Sequence, residues 1–209
     1  MYAQTTLPPS YRARGTLDLS KDKRLVLLLS ILATALIVPV AWLLAQAFFT
    51  LNDAARAVFP SFEASGDGDS TFAFSAWWIV HLVVAQVLVI VIHEAVHGAF
   101  FWLFTRARPH FGFKGLYAYA ALPPGMYLPR NPYIVVGLAP LVLLTLLGLL
   151  LVPVTPPVVI PTLYLFVLLN AVGAVGDLLV TAWLLRYPST ALAQDVGDAM
   201  TVFAPAEKW

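Results

Sequence analysis

Four stretches of this chain, 25–49, 76–104, 133–152 and 158–185, are at least twenty residues long and almost free of charge. A hydrocarbon core about 30 Å thick needs roughly 20 consecutive apolar residues in a helix. Every stretch meets that length, so lipid is the solvent this chain is written for. Composition agrees: 60% of the residues are hydrophobic and 11% are charged, against about 45–50% and 25% in soluble domains. The expected fold is all-α and transmembrane: a four-helix membrane bundle with a short β-hairpin or re-entrant loop between spans two and three. Residues 1–24 read as a cytoplasmic N-terminal tail, 25–186 as the four-span domain and 187–209 as a cytoplasmic C-terminal tail.

A cleaved signal peptide is the rival reading of the first stretch, because Ala45-Gln46-Ala47 resembles a cleavage site. Signal h-regions are about 7–15 residues long, and this run is longer. The chain has no cysteine, so it forms no disulfide and no thiolate metal site. A net charge of +1 gives no reason to expect nucleic acid as a partner.

Loop charges orient the spans. Arg12, Arg14, Lys21, Lys23 and Arg24 precede the first, and Arg106, Arg108, Lys114 and Arg130 lie between the second and third. Arg186 follows the fourth, whereas the 51–75 loop carries Asp53, Glu63, Asp67 and Asp69 against one arginine. Lys and Arg favour the cytoplasmic side. The expectation is a multi-pass protein of the cell (inner) membrane with both termini cytoplasmic.

The chemistry concentrates in span two, in "HEAVH". His93 and His97 are four residues apart, which puts both imidazoles on one helix face. Two neutral imidazoles at that spacing suit Zn²⁺. Glu94, turned about 100° from His93, reaches water beside a metal rather than the metal itself. It reads as the base that takes and passes on the proton of a zinc-activated water. Three ionisable groups within five residues are costly in a membrane helix, which argues against a purely structural role.

Catalytic zinc sites use three protein ligands and keep one position open. His81 lies twelve residues before His93, about 18 Å along the axis and about 120° around it, so it reads as a helix-contact histidine. His110 reads as a surface histidine of the basic loop. Asp177, deep in span four, is the stronger candidate. His93 and His97 lie about 10–17 Å from the cytosolic end of span two, and Asp177 about 14 Å from that of span four. The three groups thus share one layer. Gly173 and Gly176 flank Asp177 and read as small residues that let helices approach. Asn170, seven residues before Asp177, holds a substrate carbonyl or bonds across helices; spacing alone leaves both open.

"HFGFKGLYAYA" at 110–120 alternates like a hairpin with a turn at Lys114-Gly115. The four prolines of 121–132 exclude a regular helix, and that segment reads as re-entrant beside the site. Scission of a transmembrane substrate needs an extended stretch of it, and a strand edge supplies partners for such a stretch. Tyr117 and Tyr119 are the candidate substrate-binding side chains.

With "HEAVHGAFFWLF", "NPYIVVGLAPL", "NAVGAVGD" and "RYPSTALAQDVGDAM" in place, residues 76–200 resemble the site-2 protease clan of intramembrane zinc metalloproteases. More narrowly, the chain is similar to the small bacterial and archaeal membrane proteins grouped as putative zincin peptidases. The resemblance implies His93, His97 and Asp177 as zinc ligands, Glu94 as the base and a role for Asn170. This chain departs from the clan pattern at Gly173, where the clan has proline, and in Gly176-Asp177-Leu178, where the clan has Leu-Asp-Gly. The implied activity is hydrolysis of peptide bonds in membrane-spanning protein or peptide substrates.

Two other functions use the same residues. One is a non-proteolytic metal-binding membrane scaffold, a pseudoenzyme, against which the intact Glu94 weighs. The other is a metal or proton transporter with His81, His93, Glu94, His97 and Asp177 as a relay. The gap around His81 and the apolar spans one and three weigh against a continuous path.

Overall fold

The long apolar stretches fold as helices, and short strands from the polar segments gather around them. The computed structural model describes residues 3–64, 70–73, 75–114, 117–197 and 199–206. In chain order the elements are β1 (Tyr11–Asp18), α1 (Lys23–Leu51), α2 (Ala55–Val58), β2 (Ser61–Ala64), β3 (Ser70–Ala73), α3 (Trp77–Thr105), β4 (His110–Lys114) and β5 (Tyr117–Ala121). There follow β6 (Leu128–Pro129), α4 (Arg130–Leu151), α5 (Ile160–Gly173), α6 (Val175–Leu184), β7 (Leu192–Asp195) and β8 (Ala199–Pro205). Four segments are long and apolar enough to cross a membrane: Lys23–Leu51, Trp77–Thr105, Arg130–Val154 and Ile160–Leu184.

The chain is not all-α. β1, β8, β7 and β6 form one antiparallel four-stranded sheet, in that order. Segments read from composition as polar tails are therefore paired strands. β8 alternates partly buried and buried residues, with Met200, Val202 and Ala204 inward. Its partner β1 comes from the opposite end of the sequence, so no local pattern pairs them. A bulge between Ala13 and Gly15 bends β1. Gly15 is needed at that bend, because a Cβ there would lie 2.2 Å from the Tyr187 hydroxyl.

The segment at 121–132 also differs from its re-entrant reading. β6 joins it to β7, with Leu128 opposite Ala193, and α4 already begins at Arg130. Its Leu128–Pro129 join the terminal sheet. β4 and β5 form a separate antiparallel hairpin, from His110 opposite Ala121 to Lys114 opposite Tyr117. Its expected Lys114-Gly115 turn runs into residues outside those described.

Two apolar clusters hold the structure. One joins the sheet to the helices through Phe101, Leu128, Tyr133, Val136, Leu184 and Val202. The other joins α1, α2 and α5 through Phe48, Ala55, Ile160, Tyr164 and Val167. In it the Phe48 and Tyr164 rings meet edge to face at 5.4 Å, a favoured aromatic geometry. The fourth apolar stretch is broken in two at Ala174 (φ −72°, ψ 5°). A break at membrane depth is tolerated where it lines a cavity, and this one does.

Candidate metal centre and catalytic cavity

α3 delivers His93 and His97 on one face, their ring centroids 4.8 Å apart. The break at Ala174 restarts the helix, so that Asp177 falls in the first turn of α6, where a carboxylate is favoured by the helix dipole. Its Oδ2 lies 3.1 Å from His93 Nε2, and its Oδ1 lies 3.5 Å from His97 Nε2. One potential ligand atom from each residue fits within a 4.8 Å span.

The outer nitrogens determine which atoms face inward. His97 Nδ1 lies 3.0 Å from the carbonyl of Val136. A carbonyl only accepts, so Nδ1 carries a proton, and in the neutral imidazole Nε2 keeps its lone pair. That carbonyl is free because Pro140, four residues on, has no N–H to donate to it. His93 Nδ1 lies 3.0 Å from Asn170 Oδ1. The Asn170 amide nitrogen donates to Pro140 O and Thr145 Oγ1, both at 3.3 Å, which turns its oxygen toward His93. His93 therefore also donates from Nδ1 and points a lone pair inward.

With both imidazoles neutral, two lone pairs and a carboxylate converge as acceptors; a proton in place of a cation makes His93 Nε2 a donor to Asp177 Oδ2 at 3.1 Å. Such a set is stable around a cation. Zinc bonds of about 2.0–2.2 Å in a tetrahedral arrangement put ligand atoms about 3.3–3.5 Å apart; here His93 Nε2 is 3.1 Å from Asp177 Oδ2, His97 Nε2 is 3.5 Å from Oδ1, and one ligand atom from each residue lies within 4.8 Å of the others. Hydrogen bonds from the far nitrogens to fixed acceptors are the usual outer support of histidine ligands. The residues fit zinc, with Asp177 part-exposed toward the cavity.

Glu94 is outside this ligand group but lines the same cavity of about 320 Å³. The backbone amide of Ala120 in β5 lies near its carboxylate. β5 has β4 as its only strand partner among the described residues. Its other edge therefore runs past the glutamate with Ala118 on the cavity wall. Gly98 of α3 brings the hairpin this close, since a Cβ there would lie 2.3 Å from the Phe111 ring.

The other expected residues divide. Tyr119 lines the cavity, its ring held between Gly112 and Gly197. The side chain of Tyr117 lies outside those described. Asn170 is fully buried with its amide committed to His93, Pro140 and Thr145. Of its two readings, the bond across helices is the one the geometry carries. His81 bonds to Thr162 Oγ1 at 2.7 Å, and exposed His110 packs near the Tyr119 ring. Neither joins the ligand group. Gly173 and Gly176 do not serve close helix approach: a Cβ at either would meet nothing within 4 Å. They border the cavity and keep it open.

Sequence reasoning missed Tyr133 and Asp195, which face the cavity from α4 and β7. Tyr133 Oη donates to Asp195 Oδ2 at 2.5 Å, and Gly197 N–H donates to Asp195 Oδ1 at 2.7 Å. Leu17, Leu19 and Met200 of the sheet side line the cavity as well. The alternation of residues 199–205 was the available signal for that sheet.

A model of the family described as "Putative zincin peptidase" matches residues 86–192, just over half of the 209-residue chain. The match contains His93, Glu94, His97, Asn170 and Asp177. No curated protein and no solved structure matches the chain.

Proposed function

The chain belongs to the putative zincin peptidase family, and from that membership and its site we propose that it is an intramembrane zinc metallopeptidase cleaving membrane-embedded protein substrates. One observation carries this reading. With both imidazoles neutral, the inward nitrogens of His93 and His97 and the Asp177 carboxylate form an acceptor-only cluster beside a cavity that Glu94 lines.

His93, His97 and Asp177 would hold the ion. Bound zinc lowers the pKa of a coordinated water toward neutrality and polarises a carbonyl. Glu94, beside the Ala120 amide, takes the proton of the attacking water and returns it to the leaving amine. The open edge of β5 at Ala118 pairs with an extended stretch of substrate and lays its scissile bond beside Glu94. Tyr119 forms part of the wall that the substrate contacts. The resemblance to site-2 proteases and the four apolar helices support cleavage within the membrane. The basic residues before α1, between α3 and α4 and after α6 support a cytoplasmic site, with both termini on that side of the cell membrane.

The test is cleavage of single-span substrates in proteoliposomes with wild type and Glu94→Gln, beside metal analysis of both. Glu94→Gln should keep one zinc per chain and lose about 10²–10⁴-fold in rate. Stoichiometric zinc with no cleavage of any substrate would favour the scaffold reading, and ion flux would favour a transporter.

A further inference from the structure

A second groove borders the catalytic cavity and shares His93, Glu94, Ala118 and Gly173 with it. This groove of about 380 Å³ runs from His93 and Glu94 between Ala33 of α1 and Gln86 and Ile90 of α3, over Leu169 and Val172 of α5. α1 and α3 both pack on α5 rather than on each other, which leaves the gap. The terminal sheet lines the cavity, but not this groove, with Leu17 and Met200. Val83 and Val87, next to Gln86 on α3, are exposed.

Gln86 is out of place there. It is seven residues before His93, on the same face of α3 and about 10 Å along the axis. It is exposed, it lies well inside an apolar helix, and it makes no hydrogen bond to any described residue. Apart from His93 and Glu94, it is the only polar side chain lining the groove among the described residues. A carboxamide in hydrocarbon without a partner is unfavourable, and polar groups at that depth mark sites of function.

The groove shares His93 and Glu94 with the candidate site, so the occupant argued for is the substrate of that site. A transmembrane segment must unwind around the bond to be cleaved, and unwinding exposes backbone N–H and C=O groups that lipid cannot satisfy. A carboxamide offers two donors and an acceptor, the complement of a bare peptide unit. Gln86 lies eight residues from Glu94, about 12 Å, a distance that an extended chain covers in three to four residues. At the catalytic end, the edge of β5 at Ala118 borders the same groove.

We propose that Gln86 is a substrate-binding residue, hydrogen-bonding the exposed main chain of an unwound transmembrane segment three to four residues from its scissile bond. This rests on the metallopeptidase reading above and adds the subsite.

The test uses full-length protein in proteoliposomes with a panel of single-span peptides. Gln86→Leu should raise KM about two- to tenfold, the worth of one neutral hydrogen bond, with kcat and zinc content unchanged. Gln86→Asn, which keeps the amide, should recover part of the loss. In a Glu94→Gln background, a benzoylphenylalanine photocrosslinker at position 86 should capture substrate three to five residues from the bond that wild type cleaves. An unchanged KM for Gln86→Leu, a loss of zinc from it, or a crosslink elsewhere would overturn the subsite while cleavage by wild type upholds the peptidase. If wild type cleaves nothing, the peptidase reading falls and the subsite falls with it.

Discussion

His97 is held by a carbonyl that Pro140 sets free. Val136 O would accept a helical bond from residue 140, but proline has no N–H, and the imidazole Nδ1 takes the position at 3.0 Å. The same turn of α4 turns the Pro140 carbonyl toward the Asn170 amide at 3.3 Å. A single proline therefore helps orient both histidines, one directly and one through Asn170.

Pro140→Ala should restore the helical bond to Val136 and take the acceptor away from His97. Loss of such outer-shell support typically weakens metal affinity about 10–100-fold. The metal-free protein should meanwhile hold or gain stability, because proline is a poor helix-interior residue. Zinc titration beside thermal melting of the apo protein checks both halves. A loss of stability together with unchanged affinity would contradict the account.

Asn170→Leu should strike the other histidine. It strands the Nδ1–H of His93, and such an unmade buried bond costs about 1–3 kcal/mol. Zinc affinity should fall by a similar factor to that of Pro140→Ala, about 10–100-fold. Asn170→Asp keeps an acceptor for His93 and should retain more of the affinity than leucine does. Competition against a calibrated chelator measures the order.

Tyr133→Phe should loosen the terminal sheet without emptying the metal centre. The phenol donates to buried Asp195 at 2.5 Å, and its ring rests edge to face on Phe101 at 5.8 Å. Phenylalanine keeps the ring contact and removes one charge-assisted hydrogen bond, worth about 1.5–3 kcal/mol. Amide exchange in β7 and β8 should quicken while zinc content stays at wild-type level.

The turn from β1 into α1 should be acid-sensitive through Asp18. Its carboxyl, ordinarily near 3.8, is held down to about 2 by the Ser20 hydroxyl first and then by Lys21. A depressed acid favours the fold above its ordinary value and loses that contribution as pH falls through the lowered one. Asp18→Asn should therefore be the less stable protein above pH 4, and the difference should vanish by about pH 2. Acid unfolding of both proteins followed by near-ultraviolet circular dichroism reads the window.

The sequence by itself determined what local rules encode. Apolar length specified four helices able to cross a membrane, and the i, i+4 spacing of HEAVH put two imidazoles on one face with Glu94 beside them. Equal depth in two helices pointed to Asp177, because rise per residue is fixed. Tertiary structure decided what depends on distant partners. β1 and β8 lie at opposite ends of the chain, so only the folded bundle could turn polar tails into a sheet over the cavity. The helix break at Ala174, the open space beside Gly173 and Gly176, and the bonds from Pro140 and Val136 across to α5 and α3 depend on how one helix meets another. Periodicity within a helix records which face is apolar, and it is silent about which carbonyl on a neighbour will be left free.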